Sequence, residues 1–310
     1  MLTTVHEPID DRIFLKESVS LAAAGYRVTV IAPHTMDEEI TGIPIKCIPK
    51  PRGRLSRFTR TARDLYREAV DQDADVYHFH DPELFPVALL LKMRGKKVLY
   101  DVHEDLPLDI LTKLWINPWL RPPVAFMARI AEAIGVSFFD GVVAATPSIA
   151  SRFPRSKTIT VQNFPLQKEN GNRPIAKTYC ERRPVVVFIG HMNAVRGIRE
   201  AVDAMGLIPK SIDARLGLAG VFSQPGIEAE VRSKKGWQRV EFFGFLSQER
   251  LQELLSEARV GLVALHPTPA HLESQPIKLF EYMAAGVPVV ASNLPRLKQI
   301  VDQTRCGLVV

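Results

Sequence analysis

Two glutamates eight positions apart, Glu273 and Glu281, flank a short apolar stretch that also carries Lys278. A carboxylate accepts two hydrogen bonds from a vicinal diol, so such a pair suits the hydroxyls of a sugar or a ribose. Pro276 fits a first helical turn, and Gly286 followed by Pro288 supplies the stop, which places a helix at residues 276–285. Glu281 then lies one turn in, and Glu273 falls in the loop just ahead. That helix end has unpaired N–H groups and the positive pole of the macrodipole, which together receive phosphate. A plainer account fits the same spacing: Lys278 and Glu281 form an ordinary ion pair three residues apart, and Glu273 is a solvated loop residue. Because Ile277, Leu279, Phe280, Met283, Ala284 and Ala285 are apolar on nearly every face, the helix is expected to be surrounded by protein.

A second constellation is Gly190-His-Met-Asn-Ala-Val-Arg-Gly197, between the buried strand pattern of residues 184–190 and a helix at 198–205. A glycine-bounded turn at a helix start lets phosphate oxygens approach the backbone, and Arg196 adds a permanent charge. His191, directly after the first glycine, is only partly charged near neutrality.

Two further strands end in polar runs, DVYHFHDPEL (75–84) and VLYDVHEDLP (98–107). In open α/β sheets ligands bind at those carboxyl ends. His78 and His80 share a strand face, and with His103 and the nearby carboxylates they admit a metal-dependent hydrolase as the alternative function. Pro82 and Glu83 stand where the His-x-His-x-Asp-His run of a binuclear cluster would continue, so no metal is assigned there. His78 reads as a satisfied core histidine. The acidic run 71–75 reads as a solvated turn before a strand.

The elements that must hold these residues alternate strand and helix. With 310 residues and 46% hydrophobic composition the chain can bury two cores. A polar turn at 6–11, with Asp10 or Asp11 able to cap a helix at 12–24, leads to a buried strand at 26–32. This is the parallel crossover of an α/β doubly wound sheet. The first turn lacks Gly-x-Gly-x-x-Gly, so a nicotinamide or flavin site is unsupported. A further buried strand is expected at 137–145. Irregular polar sequence marks a linker at 166–183 between domains at 1–165 and 184–310.

Cys47, Cys180 and Cys306 have neither paired nor metal-ligand spacing. No 18-residue apolar run and no hydrophobic signal region occur, which implies a cytoplasmic protein. The net charge of +6 and pI of 9.2 favour an anionic partner. Residues 50–67 hold seven basic side chains against Asp64 alone, with Arg57, Arg60, Arg63 and Arg67 at helical spacing and Leu55, Phe58, Ala62 and Leu65 between them. That segment fits an anionic membrane surface, a phosphate-bearing acceptor or a solvated face. Residues 111–134, with Trp115, Trp119 and Phe126, fit either a bilayer interface or packing against the sheet.

Glu-x7-Glu followed by Tyr-Met-Ala-Ala-Gly-Val-Pro-Val-Val-Ala-Ser resembles the donor-site signature of retaining glycosyltransferases of family 4, and the opening HEPIDDRIFLKESVSLAAAGYRVTVIAP is similar to the start of such chains. The resemblance implies a GT-B fold, two Rossmann-like domains facing a cleft, here short at both termini with the second domain incomplete. It implies a hexosyltransferase moving a sugar from a UDP- or GDP-linked donor to an acceptor hydroxyl, with retention, in cell-surface polysaccharide or glycolipid synthesis. By the same resemblance Glu273 meets the sugar, Glu281 the ribose, and Arg196 and Lys278 the diphosphate. Gly190, His191 and Ser274 lie along the donor, and His103 lies near the transferred sugar. Many members have Gly-x-Gly after the first glutamate, where Ser274, Gln275 and Pro276 stand here. The implied partners are a nucleotide sugar, a sugar or lipid-linked acceptor and the inner face of an anionic membrane, with no nucleic acid and no metal cofactor. A remnant that binds nucleotide sugar without turnover is the remaining alternative.

Overall fold

The computed structural model describes residues 1–53, 56–113, 116–165 and 178–310, so the linker positions 166–177 and the side chains of Leu55 and Trp115 lie outside the described residues. The chain divides into two compact units, Met1–Asn163 and Phe164–Val310. Both are built on mainly parallel sheets with helices packed on them, the short strand Glu38–Ile40 of the first unit being antiparallel.

In the first unit, Asp10 caps a π-helical stretch, Asp11–Ser18, by accepting from the N–H groups of Arg12 and Ile13, and the helix α1 (Val19–Ala23) continues it. Gly25, at φ +91, ends that helix. Strand β1 (Val30–Pro33) follows, then β2 (Glu38–Ile40) and β3 (Ile43–Ile48), in the order β1-β3-β2. The strand is thus shorter than the β-branched run 26–32. Its ladder with β3 opens only at Val30↔Ile45, and Tyr26 is 66% exposed. A second stretch of π-helix, Arg57–Thr61, runs into α2 (Ala62–Gln72). Then come β4 (Val76–Phe79), α3 (Phe85–Met93), β5 (Lys97–Val102), α4 (Leu106–Thr112), α5 (Arg121–Phe138), β6 (Gly141–Ala144), α6 (Pro147–Ala150) and β7 (Thr158–Thr160).

Strands β4-β5-β6-β7 are parallel neighbours in that order. Leu2 bridges Ile31 on one side and Phe79 on the other, which brings β1 and β4 to either side of one residue. Ser137 and Phe138 are helical rather than part of a strand at 137–145, because α5 runs on to Phe138. The turn is then fixed by Asp140, whose carboxylate accepts from the Val98 N–H at 2.8 Å. One core, including Leu65, Phe79, Val87, Leu91, Tyr100 and Phe139, lies under α2, α3 and α5. A second, around Phe14, Val30 and Ile45, lies under α1.

The second unit is a six-stranded parallel sheet. Its strands are β8 (Val185–Ile189), β9 (Arg215–Ala219), β10 (Val240–Gly244), β11 (Val260–Val263), β12 (Val289–Ala291) and β13 (Gly307–Val309), in the order β10-β9-β8-β11-β12-β13. Helices α7 (Ile198–Leu207), α8 (Ile227–Arg232), α9 (Gln248–Glu257), α10 (Pro269–Leu272), α11 (Ile277–Ala284) and α12 (Pro295–Thr304) complete it. Reversal of strand order at β8 and β11 makes the carboxyl ends of these two central strands the switch point where a doubly wound sheet binds ligands. The loops after β8 and β11 carry the residues singled out above.

Candidate active site

The loop after β8 is built for close backbone approach. Gly190 and Gly197 have φ of +96 and +73, and a Cβ on Gly197 would fall 2.2 Å from the Ala264 carbonyl oxygen. Gly220, from the neighbouring strand end, would place a Cβ 2.0 Å from the Gly190 oxygen. Between them Asn193 accepts from the Arg196 N–H at 3.1 Å and closes a 3-10 turn, Ala194–Arg196, directly ahead of α7. His266, in the loop after β11, donates its N–H to the Val195 carbonyl at 2.9 Å, so the two loops are tied together.

Helix α11 brings the second set. Tyr282 anchors it: its hydroxyl donates to the Val187 carbonyl at 3.1 Å and accepts from the Ile189 N–H at 3.2 Å, while its ring fills the space above Gly261. At the far end Arg182 donates to the carbonyls of Ala258 and Gly286, a cation placed against a helix C-terminus. Lys278, one turn before Tyr282, is buried with it. Its side chain is 6% exposed, its Nζ lies 4.0 Å from the Phe188 ring centroid, and no hydrogen-bond partner satisfies that Nζ. Burial, then the charge of Arg196, push its pKa down to about 7, against the partial pull of Glu281. Lys278 and Glu281 thus sense each other without the simple ion pair that their spacing allows.

His191 is shifted down from its ordinary value by burial, then by Arg196 and Lys278. His271 is shifted the same way, chiefly by burial, with Arg196, His266 and Lys278 adding to it and the Nδ1 contact to the His266 carbonyl at 3.0 Å opposing. His191, Arg196, His271 and Lys278 therefore share one field, in which Glu281 pulls against the depression of the Lys278 pKa. Such a field awaits an anion. His271 went unnoticed in the sequence, where only its place two residues before Glu273 could have drawn attention.

Glu273 ends α10 in an exposed position, and Glu281 is half-buried on α11. Ser274 turns its hydroxyl back to the His271 carbonyl at 3.1 Å, so its side chain shapes the loop. Pro276 precedes α11 as its N-cap.

In the first unit, His103 Nε2 lies 3.0 Å from Asp101 Oδ1 and 3.0 Å from His80 Nδ1. Asp101 is fully buried. Burial alone would raise its pKa, but contacts from His103 and His78 overturn that and hold the carboxyl well below its usual range. His80 is kept neutral by burial and by His78 beside it. The ligand atoms of Glu17, His78, His80 and Asp101 lie within 4.8 Å of one another, so His103 is replaced by Glu17 and Asp101 in the grouping the sequence offered for a metal. Arg12 already stands between those two carboxylates, 2.9 Å from Glu17 and 3.1 Å from Asp101, and supplies the positive charge there.

Residues 15–161 match the family described as Glycosyltransferase Family 4, and residues 183–310 match Glycosyl transferases group 1. A phosphatidyl-myo-inositol mannosyltransferase of Mycobacterium leprae is 25% identical over 94% of this chain and 76% of its own length. An N-acetyl-alpha-D-glucosaminyl L-malate synthase of Bacillus anthracis is 24% identical over 91% of this chain and 72% of its own. Among solved structures, Anabaena Alr3699/HepE in complex with UDP and glucose superposes with a TM-score of 0.67 at 17% identity, covering 100% of this chain and 84% of that one. The fold, the two family matches and these relatives agree: the chain belongs to the glycosyltransferases of family 4, hexosyltransferase-type enzymes with the GT-B fold.

Proposed function

We propose that this glycosyltransferase moves a hexose from a nucleoside diphosphate sugar to a hydroxyl of a sugar or lipid-linked acceptor, with retention at the anomeric carbon. The observation that carries this reading is the buried, unpartnered ammonium of Lys278 beside Arg196, at the ends of strands β8 and β11. A diphosphate satisfies that ammonium. The UDP held by the Anabaena relative supports a uridine donor, and GDP is the other candidate.

In this assignment Glu281 holds the ribose diol, Lys278 and Arg196 hold the diphosphate, and Gly190 and His191 line its approach. Glu273 meets the sugar, Ser274 keeps the Glu273 loop in shape, and His103 is the sugar-facing group of the first unit. The C1–O bond to phosphate breaks as the acceptor oxygen bonds to C1 on the same face, and the leaving phosphate oxygen takes the acceptor proton. Preorganised positive charge at the departing diphosphate supplies most of the rate. Protein cations meet that charge, so no metal ion is required. The phosphatidyl-myo-inositol mannosyltransferase of Mycobacterium leprae supports a lipid-linked acceptor and work at the inner face of a membrane in glycolipid or polysaccharide synthesis.

Calorimetric titration with UDP and with GDP, each with and without manganese, tests the reading. One nucleotide should bind without metal, Glu281→Ala should weaken it about tenfold, and Arg196→Ala should lower turnover about a hundredfold. Undiminished binding and transfer in both variants would remove the site assignment. Binding with no transfer to any acceptor would leave the non-catalytic reading standing.

A further inference from the structure

Helix α5 is apolar on the side turned away from the core. It buries Ala125, Glu132, Gly135 and Val136 toward the protein, and its one carboxylate, Glu132, is paired there with Tyr100 and Arg152. Phe126, Ile130, Ile134 and Phe138, spaced four apart, form a stripe that is 63%, 43%, 57% and 58% exposed, with Met127 beside it at 69%. Just before the helix, Trp119 is 89% exposed. Arg129 is the exposed charge within this stretch. A stripe of this kind on a helix that already has a buried face is an interaction surface, since scattered apolar exposure does not recur every fourth residue.

The neighbouring helices add charge. Helix α2 packs on α3 and α3 on α5, and all three cover the same core. Arg60, Arg63 and Arg67 are exposed along α2 and the turn before it, and with Thr59 and Asp64 they line an open hollow of ≈ 590 Å³. Arg94 and Met93, the latter 82% exposed, stand at the end of α3 between the two groups. One helix layer thus presents an apolar stripe, an indole and a set of guanidinium groups.

We propose that the outer surface of this layer docks on an anionic phospholipid bilayer, with the α5 stripe and Trp119 at the boundary of headgroups and acyl chains and the α2 arginines on lipid phosphates. Apolar side chains supply the insertion, tryptophan suits the interfacial depth, and each arginine near an anionic surface adds attraction. A second copy of this chain is the poorer occupant, because an isologous pairing would set cationic rim against cationic rim. The proposal deepens the reading of a lipid-linked acceptor, and its test needs no turnover.

The test is co-sedimentation of the full chain with vesicles of phosphatidylcholine, with and without phosphatidylglycerol. It compares the wild type, Ile130→Glu/Ile134→Glu and Arg60→Glu/Arg63→Glu, with circular dichroism and urea midpoints confirming that each variant is folded and UDP affinity measured alongside. The wild type should sediment with the anionic vesicles, and less so as salt rises. The isoleucine pair should weaken binding about tenfold or more, and the arginine pair should erase the preference for phosphatidylglycerol. Absence of wild-type binding at low salt would overturn the proposal, as would binding by both variants undiminished from that of the wild type. So would sedimentation equilibrium showing a dimer that the isoleucine substitutions split, with no vesicle binding. Vesicle binding without UDP affinity would leave the docking surface intact and count only against the donor site.

Discussion

The ammonium of Lys278 stands 4.0 Å from the centroid of the Phe188 ring, buried and without a hydrogen-bond partner. Quadrupole attraction from the ring offsets part of the desolvation, and the remainder appears as a pKa near 7. An arriving diphosphate reverses the balance by favouring the charged form.

Nucleotide affinity should therefore be flat below pH about 7 and fall as pH rises beyond it, because only the protonated lysine holds phosphate well. Binding at pH about 8 should take up close to one proton. Calorimetry of UDP or GDP binding in buffers of different ionisation heat measures that proton. Identical heats in all buffers would show that Lys278 does not meet the phosphate.

Without ligand the same lysine opposes folding. Its folded pKa is depressed to about 7 from 10.5, so the native state binds fewer protons than the unfolded chain between those values, and stability rises with pH across that window. Below about pH 7 the full cost of the buried charge is present. Lys278→Met fills similar space without the charge and should stabilise the free protein by on the order of 2 kcal/mol at pH about 6, less at pH about 10, while weakening nucleotide binding. Chemical denaturation at the two pH values checks the sign. A variant less stable than wild type at the lower pH would contradict it.

How much of this was legible beforehand follows from where the signal lies. Buried parallel strands such as Val185–Ile189 announce themselves because both faces are covered, and the turn from Gly190 to Gly197 is written in its glycines. Lys278 was visible as a cation at the right spacing, yet its isolation was not, since that depends on Phe188 from another element. The strand ends were less legible. Tyr26 and Phe138 carry strand-like side chains but lie outside ladders whose register is set by partners distant in sequence. The apolar face of α5 reads in sequence like any core helix, and only the packing of Glu132 inward shows which side is out.

Two positive-φ glycines, Gly197 ahead of α7 and Gly226 ahead of α8, can be ranked by what surrounds them. Gly197 combines φ of +73 with a backbone oxygen 2.2 Å from where a Cβ would be, whereas Gly226 has φ of +77 and nothing within 4 Å. Gly226→Ala should cost about 1 kcal/mol from backbone strain alone. Gly197→Ala should cost about 3 kcal/mol or more, because the Ala264 carbonyl must move as well, and it should weaken nucleotide binding through the displaced Arg196. Urea midpoints of the two variants give the comparison. Equal losses would mean that the close approach to Ala264 carries no weight.

Acid should weaken the N-terminal loop through Asp10. Asp10 receives the N–H groups of Arg12 and Ile13 at 2.8 and 3.0 Å and faces His6 Nδ1 at 3.0 Å. Burial alone would raise its pKa, but the His6 contact and these N–H groups lower it to about 2 from 3.8. A depressed carboxylate stabilises the fold above its unfolded pKa, and that contribution is lost as pH falls from about 4 through about 2. His6 is shifted upward, with the Asp10 and Asp81 contacts outweighing burial, so its share is present at low pH and is lost as pH rises through its folded value. Asp10→Ala should therefore cost on the order of 2 kcal/mol near neutrality through the lost cap and carboxylate, and nearly nothing by pH about 2. Urea titrations of wild type and variant from pH about 6 to about 2 should converge at the acid end. Parallel curves across that range would show that Asp10 is not the group being titrated.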